Sequence, residues 1–143
     1  MTRWAAVLAS LWIGCAAAQD TSTGIARALE SDRLEVNGLR VRLHGVIGPG
    51  LSDPGGVEGQ EMLQRLIGSH VIICHLLARQ RNGLRVAGCE LRGQDVGALA
   101  VAAGAVRDCP AESRGRYRTQ EQNAPWDSPA RRMTLPPECR VAR

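Results

Sequence analysis

Two Asn-Gly dipeptides, Asn37-Gly38 and Asn82-Gly83, constrain this chain more than any other feature. Asn-Gly between short apolar runs is the strongest local signal for a β-hairpin, because both central residues of the favoured turn need positive φ. The first pair predicts strands over 33–36 and 39–43, preceded by a strand over 24–30 across the polar break Ser31-Asp32. The second predicts a β-branched strand over 71–77 returning over 84–91. Leu39, Val41 and Leu43 alternate with Arg40, Arg42 and His44, so that one face should be buried and the other should carry cations into solvent.

Between the hairpins, residues 45–56 are rich in Gly and Pro and read as a loop. Met62, Leu63, Leu66 and Ile67 then fall at helical spacing, predicting a helix over 57–67 ended by Gly68. Asp95 is placed to cap a second helix running to about Ala103, with Gly104 near its end. Residues 114–122 are expected as a polar surface helix. From Asn123 onward Pro125, Pro129, Pro136 and Pro137 predict an irregular tail. The order of three strands, a helix, two strands and further helices predicts a mainly β fold, a five-stranded OB-type barrel with about three flanking helices.

Composition sets the core and the compartment. The chain has no Phe and only 3% aromatic residues, so the core must be built from Leu, Val, Ile and Ala. With 22% charged and 44% hydrophobic residues it is neither a multi-spanning membrane protein nor a disordered chain. The apolar run over 96–106 is far short of a membrane span, so an integral membrane protein is not expected. Arg3, the apolar run over 4–13 and Ala16-Ala17-Ala18 before Gln19 have the layout of an export signal, residues 1–18. A periplasmic or secreted protein follows, with a domain over 19–122 and the tail over 123–143. Cys15 after Gly14 raises a lipid anchor instead, but Trp12 and Ile13 are poor flanks for one. Cleavage after Ala18 leaves Cys74, Cys89, Cys109 and Cys139, an even number that predicts two disulfides among three pairings. It also removes Arg3, lowering the formal charge from +4 to +3. All 18 basic residues are Arg, a bias that suits oxyanion recognition but that codon composition produces equally well.

The order and spacing of several segments resemble the staphylococcal nuclease-like (thermonuclease) domain. They are Leu29-Glu30-Ser31-Asp32, the stretch from Val41-Arg42-Leu43-His44-Gly45 to Pro49, Val71-Ile72-Ile73-Cys74, Asn82-Gly83 to Gly88-Cys89, and Asp95-Val96-Gly97 to Gly104. The likeness covers about residues 24–106. Cys109-Pro110, Arg116-Tyr117 and Leu135-Pro136-x-x-Cys139 look like the tail of exported bacterial members. The resemblance implies an OB barrel and, in active members, a calcium-dependent phosphodiesterase acting on DNA and RNA. It places Asp32 on a metal-ligand position and Arg42 on a catalytic arginine. Ile47 falls on the second metal-ligand Asp, Gly50 on the water-activating Glu, and Leu84 on the second arginine. Arg33 replaces the turn Thr and sets a positive charge beside the cation position. Losing even one charge-stabilising group typically costs about a hundred- to a thousand-fold in rate. The expectation is therefore a degenerate site in a non-catalytic module that binds a protein or an envelope polymer. No cofactor is expected, and calcium would be needed only by an active enzyme. Glu58 or Asp53 in the long loop could substitute for the missing acids.

Cys74 and His75 point to opposite faces of a strand and cannot pair. A four-residue loop over 80–83 would set Cys74 opposite Cys89, whereas a two-residue turn would set it opposite Leu91, too far for a bridge. The longer loop and a Cys74–Cys89 bridge are expected, leaving Cys109 to Cys139. No Cys or His spacing suggests a metal site, and His44, His70 and His75 read as ordinary histidines. Arginines cluster at Arg40 and Arg42, at Arg79, Arg81 and Arg85, and at Arg114, Arg116 and Arg118. Weak nucleic-acid binding would draw on Arg40, Arg42, Arg81, Arg85 and Tyr117, following a phosphate backbone. Against it, Glu35, Asp95, Glu112 and Glu121 balance a solvated surface, and Tyr117 alone could stack on a base. A monomer is expected.

Overall fold

Leu34, Val36, Val41 and Leu43 bury one side of the first hairpin completely, so alternation along the strands decides which face turns inward. The computed structural model of the protein describes residues 20–142. The expected export segment, with Cys15, and the side chain of Arg79 lie outside the described residues. Strands β1 (Thr21–Glu30), β2 (Arg33–Val36), β3 (Leu39–Leu43), β5 (Val71–Arg81) and β6 (Leu84–Leu91) form the barrel, with short strands β4 (Val46–Ile47), β7 (Gln94–Asp95) and β8 (Arg107–Asp108). Helices are α1 (Gly56–Ile67), α2 (Val96–Ala103), α3 (Pro110–Ser113) and α4 (Arg118–Asn123).

The strand order is β3-β2-β1-β5-β6, and a parallel pairing of β3 with β6 closes it, with Arg42 beside Val86 and Leu43 beside Ala87. The result is a closed five-stranded mixed barrel of OB type with flanking helices. β1 serves both halves of the barrel: Thr21 to Ile25 pair with β5, and Ala26 to Glu30 pair with β2. A bulge between Ala28 and Glu30 frees backbone groups that α1 recovers. The Ala28 amide donates to Gln64 Oε1 at 2.9 Å, and Gln60 Nε2 donates to the Ala28 carbonyl at 3.1 Å.

The core is aliphatic, as the missing Phe requires: Leu63 and Ile67 of α1 and Val96 and Val101 of α2 pack against the strand residues. α1 approaches the preceding loop so closely that a Cβ on Gly56 would lie 1.8 Å from the Gly50 carbonyl oxygen. Asp95 caps α2 as expected, accepting from the amides of Gly97 and Ala98. No described helix is long and apolar enough to cross a membrane.

Two features depart from expectation. First, Asn82 (φ 50°) and Gly83 (φ 75°) make a two-residue turn that pairs Arg81 with Leu84, not a four-residue loop. The Cys74–Cys89 bridge forms nonetheless, because the register slips between Leu76 and Gln80 and sets the cysteines opposite each other. Second, positive φ at Arg114 and Gly115 keeps the helix expected over 114–122 from starting before Arg118, so that only α4 forms there, and the short α3 precedes it. The tail agrees with expectation: it is tied to the barrel by the expected Cys109–Cys139 bridge, and the Ala130 amide donates to the Gly104 carbonyl at 3.0 Å. Two disulfides indicate an oxidising, extracytoplasmic environment.

Candidate functional site

Arg42 lies mid-strand in β3 and does not face solvent, which corrects the alternation-based expectation: its side chain is 3% exposed. The outward side of β3 is covered, and a buried guanidinium is tolerated only where partners surround it. Nη2 donates to the Val46 carbonyl at 2.6 Å, and Nη1 donates to Glu112 Oε1 and Oε2 at 3.2 and 3.1 Å. On its other side Nε lies 3.7 Å from Asp32 Oδ2.

Asp32 ends the turn between β1 and β2, with Arg33 Nε also 3.7 Å from its carboxylate. Burial pushes the Asp32 carboxyl above the ordinary carboxylate value, against the opposing pull of Arg42 and Arg33. The neutral acid is thus favoured by folding, and stability falls as pH rises from 3.8 through the folded-state value. Asp32→Asn is therefore expected to raise the urea midpoint at pH 7 and to give no gain below pH 3.8. An equal gain at both pH values would refute this assignment.

Glu112, which the sequence suggests is a solvated charge, is the centre of the cluster. Its side chain is 10% exposed. Oε1 accepts from the Gly45 amide at 3.0 Å, Oε2 accepts from Arg81 Nη1 at 3.0 Å, and His44 Nε2 lies 3.9 Å from Oε1. Burial opposes its charge, but the Gly45 amide, Arg42 and His44 outweigh that and hold the carboxyl below its usual range. Arg81 Nη2 also donates to Glu138 Oε1 at 3.0 Å. Both carboxylates come from beside one disulfide: Glu112 follows Cys109 by three residues and Glu138 immediately precedes Cys139. That placement was the sequence signal for the cluster, though nothing in it indicates the strand they meet.

Of the positions implied to have lost their acids, Gly50 is approached by one, since a Cβ there would lie 3.2 Å from Asp53 Oδ2. Ile47 pairs with Arg107, and the Gly50 amide donates to Asp53 Oδ2 at 2.9 Å, which commits Asp53 to its own loop. Glu58 is paired with Arg132 at 3.0 Å. Among the described residues no group of three or more His, Cys, Asp or Glu could hold a metal ion. Asp32 sits between two guanidiniums, where calcium, which gathers six to eight oxygens, does not fit.

Of the five nucleic-acid candidates, Arg42 and Arg81 come together on Glu112 and the other three lie elsewhere. Arg40 joins Arg27 on Glu35, at 3.4 and 3.2 Å, and Arg85 pairs with Asp20 at 3.0 Å. Tyr117 is buried, its phenol donating to Asp95 Oδ2 at 2.9 Å, and burial together with that carboxylate pushes the phenol up. Arg116 lies 5.6 Å over its ring and 3.0 Å from Asp95. No protein-family model and no curated protein matches this sequence.

Proposed function

We propose that the protein is an exported, non-hydrolytic relative of the nuclease-like barrels, a monomeric binding module for a protein or envelope polymer. In this reading residues 1–18 are a cleaved signal and Cys15 carries no lipid. One observation carries the non-hydrolytic part: with Glu112 in place, the Arg42 guanidinium is occupied by Glu112, Asp32 and the Val46 carbonyl, so the intact protein aims none of its donors at a scissile phosphate. A phosphodiesterase needs donors aimed where charge develops and a base beside the attacking water, whereas around Arg42 the donors and the two carboxylates, Asp32 and Glu112, are engaged with one another.

The test is a nuclease assay on the mature protein with calcium or with chelator, together with a calcium titration of thermal stability. No hydrolysis and no calcium-dependent rise in melting temperature are expected, since a cation that binds the native state stabilises it by mass action. Calcium-dependent DNA degradation abolished by Asp32→Ala would overturn the reading.

A second reading, weak nucleic-acid binding, is favoured by Arg27 and Arg40, whose side chains are each 65% exposed on either side of Glu35. Such binding should weaken steeply with salt as counterions are released. Affinity for single-stranded DNA that does not change with salt counts against it.

A further inference from the structure

The donors around Glu112 are those an incoming oxyanion would use. A backbone amide (Gly45) and two guanidiniums (Arg42, Arg81) converge on its two oxygens at 3.0 to 3.2 Å. Charge-assisted donors in this arrangement recognise phosphoryl oxygens as readily as carboxylate. Glu112 does more than face buried Arg42, because the Gly45 amide and Arg81 also donate to it. Arg81, 23% exposed, takes two carboxylates, Glu112 and Glu138. Beside them a cavity of about 260 Å³ opens, lined by Gln80, Arg81, Val86, Ala111, Glu112 and Glu138.

The segment that delivers Glu112 is not self-supporting. α3 has four residues, and so short a helix has no stability of its own. It is held from outside: the Cys109 amide donates to the Gly45 carbonyl at 2.9 Å, and Cys109 is bonded to Cys139. The same bridge brings Glu138 onto Arg81.

We propose that Glu112 is the resident ligand of an oxyanion site built from Arg42, Arg81 and the Gly45 amide, that an external phosphoryl group competes with it there, and that the Cys109–Cys139 bridge locks it in place. This deepens the binding-module reading and rests on it. A ligand tethered within the same chain acts at an effective concentration of about millimolar or more. The intact protein therefore masks a site that loss of one carboxylate uncovers.

The experiment titrates inorganic phosphate against chloride at constant ionic strength, in the disulfide-intact full chain, read by calorimetry. Glu112→Gln is expected to bind phosphate at least about tenfold more tightly than the wild type, and Glu112→Gln/Arg81→Gln to lose that gain. Cys109→Ser/Cys139→Ser, which loosens α3 and Glu138 together, should give an intermediate gain, and it carries the test should Glu112→Gln fail to fold. A parallel arm with a single-stranded oligonucleotide separates a phosphodiester source from free phosphate. Equal phosphate affinity in the wild type and these variants, or no saturable binding in any of them, overturns the proposal. DNA hydrolysis by the wild type would instead overturn the non-hydrolytic reading and leave the phosphate result standing.

Discussion

Arg42→Met is expected to destabilise the protein by about 3–5 kcal/mol, the range for removing one partner of a buried ion pair. Met fills most of the volume, so the loss isolates charge from packing. Three acceptors lose a buried guanidinium at once: the Asp32 and Glu112 carboxylates and the Val46 carbonyl. Urea unfolding measured against pH gives the check. Glu112 titrates below its ordinary 4.5 in the folded state, so its contribution is complete above that value and is lost as pH falls through the folded-state value. The Arg42→Met penalty should accordingly be largest above pH 4.5 and shrink in acid as these carboxylates take up protons. A penalty under about 1 kcal/mol at pH 7, the scale of an exposed pair, would mean that Arg42 is not holding this cluster together.

Replacing Cys109 and Cys139 together by Ala is expected to cost about 3–4 kcal/mol, from the loop entropy returned to the unfolded chain over a separation of 30 residues. The Cys74–Cys89 pair closes a loop of half that separation, 15 residues, and its removal should cost less, about 3 kcal/mol. Location separates the two more sharply than magnitude does. Loss of Cys74–Cys89 acts on a strand pair already joined by a ladder of hydrogen bonds. Loss of Cys109–Cys139 frees a four-residue helix and the tail, so amide exchange should accelerate at residues 111–113 and 138–140 while the barrel strands stay protected. Uniform acceleration across the barrel would show that the bridge supports the whole fold and not α3 alone.

The barrel was largely legible because its signals are local. Asn37-Gly38 and Asn82-Gly83 turn as their residue types demand, Asp95 caps α2, and the spacing of Leu63 and Ile67 sets the buried face of α1. Register was less legible. The expected cysteine pairing forms without the loop expected to produce it, through a slip between Leu76 and Gln80 that no residue signature marks. The site was least legible of all. Alternation turns Arg42 outward correctly, yet whether outward means solvent depends on α3, some 70 residues further along the chain. Glu112 looks like any surface acid until the Cys109–Cys139 bridge, β4–β8 pairing and the Gly45 amide bring it to Arg42. Residues at such separations meet through the fold, and periodicity reports only neighbours within an element.

The slip in β5 divides one long hairpin into two mechanically separate parts. Its base, anchored by Cys74 and Cys89, belongs to the barrel wall, while its tip, from Gln80 to Arg85, is aligned across the hairpin by Asn82-Gly83 and meets β3 where Arg85 pairs with Val41. Residues added to or taken from the irregular stretch between them would re-aim Arg81 without moving a core side chain. The reach of that guanidinium can therefore drift during divergence independently of the scaffold that carries it.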